Sequence, residues 1–271
     1  MRFRVSTFCQ RHLKGLDMSK KLGSMAAAIL MTLGTSAYAG AFVNGGFEDG
    51  NLNGWTGGGG SWSGGGAPVD PATYATGTAN NTIMSGGIDA ITGANRVYGG
   101  GYSVRVNDDV NNRSVSTISQ TVNYYTDNSI FFAWNAVLED SHGPTDSDYF
   151  SLTLRDKTTG TNLVSRAYSS AGSIGSGTSG VTWTKFGNWY SSGWVVEQID
   201  LAALSAVGHD FTLTLLASDC PYSGHAGYVY LDGFGAVNPP TGQVPEPGSL
   251  ALLGLGFAGL AAARQRQKKA A

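Results

Sequence analysis

The stretch DFTLTL, residues 210–215, sets Phe211, Leu213 and Leu215 at every second position, between Asp210, Thr212 and Thr214. Period-two alternation puts one row of side chains on an apolar core and the other in water, as in a half-buried β-strand. Tyr102, Val104 and Val106 alternate in the same way with Ser103 and Arg105, and Phe150, Leu152 and Leu154 with Ser151, Thr153 and Arg155. Further strands are predicted over 114–122, 129–138, 161–168, 181–187, 193–199 and 226–237, separated by Gly, Asn and Ser turns. No amphipathic helix interrupts them; Ala202 to Val207 has room for one turn. About ten short strands without helices predict an all-β fold, an antiparallel jelly-roll β-sandwich.

Two glycine-rich stretches are expected to lie outside the strands. Thr56 to Gly66 holds seven glycines around Trp62, too many for a strand by propensity, and reads as a loop. Ser169 to Gly180 reads as a second Gly/Ser loop.

Both ends of the chain depart from this pattern. Lys20 and Lys21 precede the apolar run Met25 to Leu33, and Ala37-Tyr38-Ala39 before Gly40 has the small-x-small form of a signal-peptidase site. Two starts fit: Met1, and Met18, whose Met-Ser-Lys-Lys opens a signal peptide of ordinary length. At the far end, Val244-Pro245-Glu246-Pro247 precedes sixteen uncharged residues, Gly248 to Ala263, and then Arg264, Arg266, Lys268 and Lys269. Sixteen helical residues reach about 24 Å, short of the roughly 30 Å of a bilayer's hydrocarbon core. Two readings stand: an ordinary C-terminal anchor, or a transient hold during processing. The expected organisation is a leader and signal helix at 1–39, a β-sandwich at 40–238, a Pro-rich linker at 239–247, and a hydrophobic helix with a basic tail at 248–271.

The Pro-Glu-Pro triplet, the Gly/Ala/Leu-rich run and the basic end together resemble the PEP-CTERM sorting signal. The resemblance covers about the last 26 residues. It implies a bacterium that makes exopolysaccharide, and a membrane protease, exosortase, that reads Val244, Pro245, Glu246 and Pro247 and removes the tail. With signal peptidase acting at Ala37, Ala39 and Gly40, the expected destination is the cell surface or extracellular matrix.

Between residues 40 and 247 there are seven Lys and Arg against eighteen Asp and Glu, a net charge of −11. Such a surface repels nucleic acid and anionic lipid and suits cations or a hydrated matrix. Cys9 lies in the leader, so Cys220 is the one cysteine after it and no internal disulfide forms. Such a thiol in an exported protein is buried, reactive or paired with another chain.

A second resemblance spans most of the middle. Phe42-Val43-Asn44-Gly45-Gly46-Phe47-Glu48, followed by Leu52-Asn53-Gly54-Trp55, is similar to the opening of galactose-binding-like carbohydrate-binding modules. Tyr102 to Val106, Trp194 to Leu201 with Val207 to Leu213, and Tyr230-Leu231-Asp232-Gly233-Phe234 are similar to their later strands. The resemblance implies a jelly roll whose terminal strands are neighbours, and a structural calcium ion held by Glu48, Asp232 and backbone carbonyls. Hard carboxylate and carbonyl oxygens are what calcium takes. Read without the resemblance, Glu48 and Asp232 are polar turn residues. The acidic run Glu139 to Asp148 has the charge to hold a cation, but it lacks the glycine and glutamate of an EF-hand, and a solvated loop is the better reading.

Of the tryptophans, Trp134 and Trp194 sit within strand patterns and are expected in the core. Trp62 and the Trp189-Tyr190 pair stand beside glycines and are the candidates to stack on sugar rings, whose C–H faces are apolar. Their other reading is that they cap the ends of the sandwich. Little supports catalysis. His142, His209 and His225 come with no nucleophile elbow and no His-Glu-x-x-His, and Cys220 and His225, five apart, would need for a metal site partners that the chain lacks. The expectation is a non-enzymatic module associating with exopolysaccharide. The alternatives are a scaffold with no small ligand, and a glycan hydrolase.

Overall fold

The structure is a computed structural model, which describes residues 41–62, 69–143, 146–170, 181–222 and 224–235. The signal peptide, its cleavage residues Ala37, Ala39 and Gly40, the Val244–Pro247 motif and the C-terminal hydrophobic run lie outside these residues. Among the described residues no helix is long and apolar enough to cross a membrane.

Among the described residues, twelve strands form two antiparallel sheets. The first is ordered β1 (Thr56–Ser61), β4 (Ser114–Val122), β11 (Phe211–Ser218), β6 (Tyr149–Asp156), β7 (Thr161–Ser169). The second is ordered β2 (Asn81–Ser85), β3 (Tyr102–Val106), β12 (Gly227–Gly235), β5 (Ser129–Glu139), β9 (Trp189–Ser191), β8 (Thr184–Phe186), and β10 (Val195–Asp200) also pairs with β5. In the first sheet Leu213 lies opposite Leu154 and Leu215 opposite Leu152. The core runs between the two sheets through Ile118, Phe132, Trp134, Phe150, Leu152, Leu213, Leu215, Val229 and Leu231. The two-residue period drawn from 210–215 therefore gives the observed inner face.

Three differences from the sequence reading have physical causes. The glycines of 56–61 are in a strand, β1, paired along β4 from Thr56↔Ser119 to Ser61↔Ser114. They are glycines because other backbone crosses this strand closely. A Cβ on Gly58 would lie 2.2 Å from the Tyr74 carbonyl oxygen, and one on Gly59 2.6 Å from the carbonyl oxygens of Thr78 and Val115. Glycine inside a strand often marks such an approach. The crossing segment begins with a short 3-10 turn, Pro71–Tyr74, capped by Asp70, whose Oδ1 accepts from Ala72 N at 2.9 Å.

Second, the stretch expected as one strand over 181–187 is instead the tight hairpin β8–β9, with Phe186 opposite Trp189 and Gly187 at φ 61° in the turn. Third, residues 43–48 are turns rather than an opening strand, since Asn44 and Phe47 sit at φ 50° and 60°. The two ends of the domain nevertheless meet. Phe234 N donates to Gly45 O at 3.0 Å, Phe42 packs on Phe234 with ring centroids 3.7 Å apart, and the indole of Trp55 donates to Asn44 O at 3.0 Å.

β5 is buried on both faces over nearly its whole length. Its inner residues, among them Ile130, Phe132, Trp134 and Leu138, face the sandwich core. Val137 faces the opposite way, into a separate apolar cluster with Tyr228 and Tyr230. The chain between β2 and β3 makes this second burial possible.

Candidate functional site

Residues 86–101, between β2 and β3, lie across the outer face of the seven-stranded sheet and are held there by carboxylates. Asp89 Oδ2 accepts the hydroxyls of Tyr228 at 2.6 Å and Tyr230 at 2.8 Å. Its Oδ1 accepts from Thr92 N at 2.7 Å and Thr92 Oγ1 at 2.8 Å. Burial pushes the Asp89 carboxyl up, but these donors outweigh it and hold the group below its ordinary value. Burial, and then the Asp89 carboxylate, raise both tyrosine hydroxyls above theirs. The pairing leaves a charged carboxylate between two neutral phenols, the stable distribution of protons in a buried site.

Asp232 follows Tyr228 and Tyr230 on the same face of β12, since its strand neighbours alternate. Its Oδ2 accepts from Tyr98 N at 2.8 Å and Gly99 N at 3.0 Å. Glu48 takes two amides further along: Oε2 accepts from Gly101 N at 2.9 Å, and Oε1 from Tyr102 N at 3.2 Å. Gly100, at φ 73°, passes so close that a Cβ there would lie 2.4 Å from Glu48 Oε1. The structure thus brings Glu48 and Asp232 to one loop. Burial raises the Asp232 carboxyl to about 7, with the Glu48 charge adding to it. Calcium takes six to eight oxygens, whereas the contacts of these two carboxylates are to backbone N–H groups. The backbone amides already satisfy several of their lone pairs, so an ion there would share the carboxylates with these donors.

Aromatic rings form a continuous row over this face. Trp189 packs on Tyr228 at 6.0 Å, Tyr228 on Tyr230 at 5.6 Å, Tyr230 on Trp194 at 6.3 Å, and Trp194 on Tyr98 at 5.6 Å. Arg105 lies over Tyr228, 5.4 Å from the ring centre. The middle tyrosines are buried, while Trp189, Trp194 and Tyr98 are only partly covered. The indole of Trp194 donates to Asn95 O at 2.9 Å, which fixes the ring. Beside it lies a cleft of about 220 Å³ walled by Gly86, Gly87, Asn95, Tyr98, Gly99 and Gly100.

The stacking candidates fare differently. Trp62 is only 6% exposed; it packs with Val69, Val115, Tyr149 and Leu216, and its indole donates to Asp219 O at 2.8 Å. It offers no open face to a sugar, so the expectation of an exposed ring is corrected: the strand that precedes it carries it into a core. Trp189 and Tyr190, as adjacent strand residues, face opposite sides of β9 and form no common platform. Tyr190 lies instead beneath Lys185, whose Nζ is 5.0 Å from the ring centre. Trp194, expected in the main core, sits on the outer face, because Trp134 and not Trp194 fills the inner position. Trp134 is fully buried, and its indole donates to Glu197 Oε1 at 3.2 Å, where Arg166 also pairs at 2.8 Å.

A second, larger groove of about 470 Å³ crosses the outer face of the five-stranded sheet, lined by Thr117, Ser119, Thr153, Arg155, Asn162 and Thr214. Pro71, Ala72 and Ala75 complete its wall, and no aromatic ring lines it. The acidic loop after β5 is not simply solvated, since Ser147 and Asp148 are fully buried.

Comparison with known proteins adds a motif and a set of folds. The family model for the PEP-CTERM protein-sorting motif matches residues 243–267. No curated protein matches the chain. Among solved structures, the carbohydrate-binding module TmCBM61, in complex with β-1,4-galactotriose, is 12% identical; the match covers 72% of this chain and 96% of that one, with a TM-score of 0.37. The CBM27-1 module of Caldicellulosiruptor saccharolyticus, in complex with mannohexaose, is 10% identical over 72% of this chain and 93% of that one, with a TM-score of 0.35. The enzymatically active domain of a tailspike protein of bacteriophage CBA120 is 12% identical over 73% of this chain and 21% of that one, with a TM-score of 0.33. These are likenesses of fold at low identity, and they assign no ligand here. The chain is an all-β antiparallel sandwich that carries a PEP-CTERM protein-sorting motif at residues 243–267.

Proposed function

We propose that this protein is exported, processed by signal peptidase at Ala39 and by exosortase at Val244–Pro247, and left at the cell surface or in the exopolysaccharide matrix. There its sandwich associates with glycan and does not cleave it. The observation that supports this most is the pinned, partly open indole of Trp194 beside Tyr98 and a cleft walled by glycines. A pyranose stacks its C–H face on such a ring, and glycine backbone lets its hydroxyls approach peptide groups closely. Trp189, at the other end of the row, gives a second contact for a long polymer.

Calcium belongs to the same reading as a structural ion at Glu48 and Asp232, stiffening the loop that forms the cleft wall. With a net charge of −11, the domain would hold an acidic polymer only where a cation bridges like charges, whereas a neutral polymer needs none. The test is tryptophan fluorescence and saturation-transfer NMR of the full chain against neutral and acidic oligosaccharides, with reducing-end release measured in parallel. Saturation transfer to sugar protons without release supports the reading. No transfer favours a scaffold without small ligand, and sustained release favours a hydrolase.

A further inference from the structure

We propose that His142, Cys220 and His225 form a binding site for a borderline divalent metal ion of the zinc class. The loop after β5 and the turn between β11 and β12 bring them together. A nitrogen of each histidine and the Cys220 sulfur all lie within 4.8 Å of one another. The sequence shows only a cysteine and a histidine five residues apart; the third ligand, His142, comes from a different loop.

Backbone pairing fixes the approach. Cys220 N donates to His225 O at 3.0 Å, closing the turn that holds both residues. Ala226 N donates to Glu139 Oε2 at 3.0 Å, and Glu139 N donates to Ala226 O at 3.1 Å, tying that turn to the end of β5. The rings of His142 and His225 meet edge to face with centroids 4.6 Å apart. Ser141 Oγ lies 3.3 Å from His225 Nδ1, a contact of the kind that orients a ligating imidazole.

Two acidic side chains lie near Cys220, and burial holds the Asp148 carboxyl well above its ordinary value. Asp148 is fully buried, and its Oδ2 has no hydrogen-bond partner; Asp146 Oδ1 is likewise buried without one. Neither carboxylate has a Lys, Arg or His ion pair among the described residues. An acidic pocket with one thiol and two imidazoles is the wrong chemistry for calcium, which takes oxygen, and the right chemistry for zinc. It is also the wrong setting for a cysteine nucleophile. Cys220 is fully buried, which keeps a substrate from its sulfur.

On binding, the metal replaces the thiol proton: the S–H bond breaks, a metal–sulfur bond forms, and one proton leaves to solvent, with no change of oxidation state. Tetrahedral zinc needs two nitrogens and one sulfur about 3.3–3.5 Å apart, from metal–ligand lengths of about 2.0 and 2.3 Å. The exposed His142 side chain can turn to close the gap. Three protein ligands leave a fourth position for water or an external donor.

The test uses the full chain, purified in detergent without a histidine tag, titrated with Co²⁺ and then Zn²⁺. The wild type should bind one Co²⁺ at this site, with visible d–d bands of a tetrahedral ion and a thiolate-to-cobalt charge-transfer band that Zn²⁺ abolishes. Cys220→Ser should lose the charge-transfer band. Because Cys220 is buried and its variant can misfold, His142→Ala is the deciding substitution: its melting midpoint without metal should match the wild type, and its Co²⁺ affinity should fall at least tenfold. A wild type with no charge-transfer band, or a His142→Ala protein that binds Co²⁺ as tightly, overturns the proposal.

Discussion

The hydroxyl of Tyr228 donates to Asp89 Oδ2 at 2.6 Å across 139 residues of sequence. With the Tyr230 hydroxyl on the same oxygen, it fastens residues 86–101 to the outer face of a sheet that would otherwise expose an aromatic stripe. The same contact holds the wall of the cleft beside Trp194.

Asp89→Ala should therefore destabilise the domain by about 2–4 kcal/mol, since two buried phenols lose their acceptor. Tyr228→Phe should cost only about 1 kcal/mol. Denaturant unfolding measures both. Hydrogen exchange should show the loss concentrated in residues 86–101; uniform loss across both sheets would mean that Asp89 does not fasten this segment in particular.

Gly58→Ala should destabilise by about 1–3 kcal/mol, because a Cβ would overlap the Tyr74 carbonyl oxygen at 2.2 Å. Gly86→Ala, where a Cβ meets nothing within 4 Å, should stay within about 0.5 kcal/mol of the wild type. Equal effects at the two positions would refute the close crossing over β1.

Stability should fall as pH rises through the acid range. Burial raises Asp232 to about 7 and Asp219 to about 6. A carboxyl whose folded value lies above its unfolded value of about 3.9 binds more protons folded than unfolded between the two. The slope is therefore negative from about pH 4 to about pH 7. Asp232→Asn, which keeps an oxygen acceptor for Tyr98 N and Gly99 N, should flatten the upper part of that window. Added calcium should flatten it too in the wild type, by favouring the ionised carboxylate, and not in the variant. Melting midpoints across pH, with calcium and with chelator, measure all three.

Much of the sandwich was legible in the sequence, because inward and outward residues alternate where only one face is buried. Phe211, Leu213 and Leu215 show this in β11, and Val104 and Val106 in β3. β1 was hidden because its glycines answer to backbone from residues 74–79, which lies distant in sequence. Trp194 was misplaced for a related reason: where 86–101 roofs the sheet, both faces of a strand carry large rings, and alternation no longer tells inside from outside. Glu48 and Asp232 could be paired only through the resemblance. No local spacing links His142 to Cys220 and His225, whose meeting depends on two loops at one end of the sandwich.

Affinity electrophoresis in gels containing the host's exopolysaccharide tests the central claim most directly. The wild type should be retarded relative to a polymer-free gel. Trp194→Ala should weaken retention by about 1 kcal/mol or somewhat more, the scale of one aromatic contact. Trp189→Ala should weaken it less, and Tyr190→Phe should leave it unchanged. Trp62→Ala, if it folds, should lower the melting midpoint without changing retention. Equal mobility of wild type and Trp194→Ala, with no retardation of either, would contradict glycan association at this face.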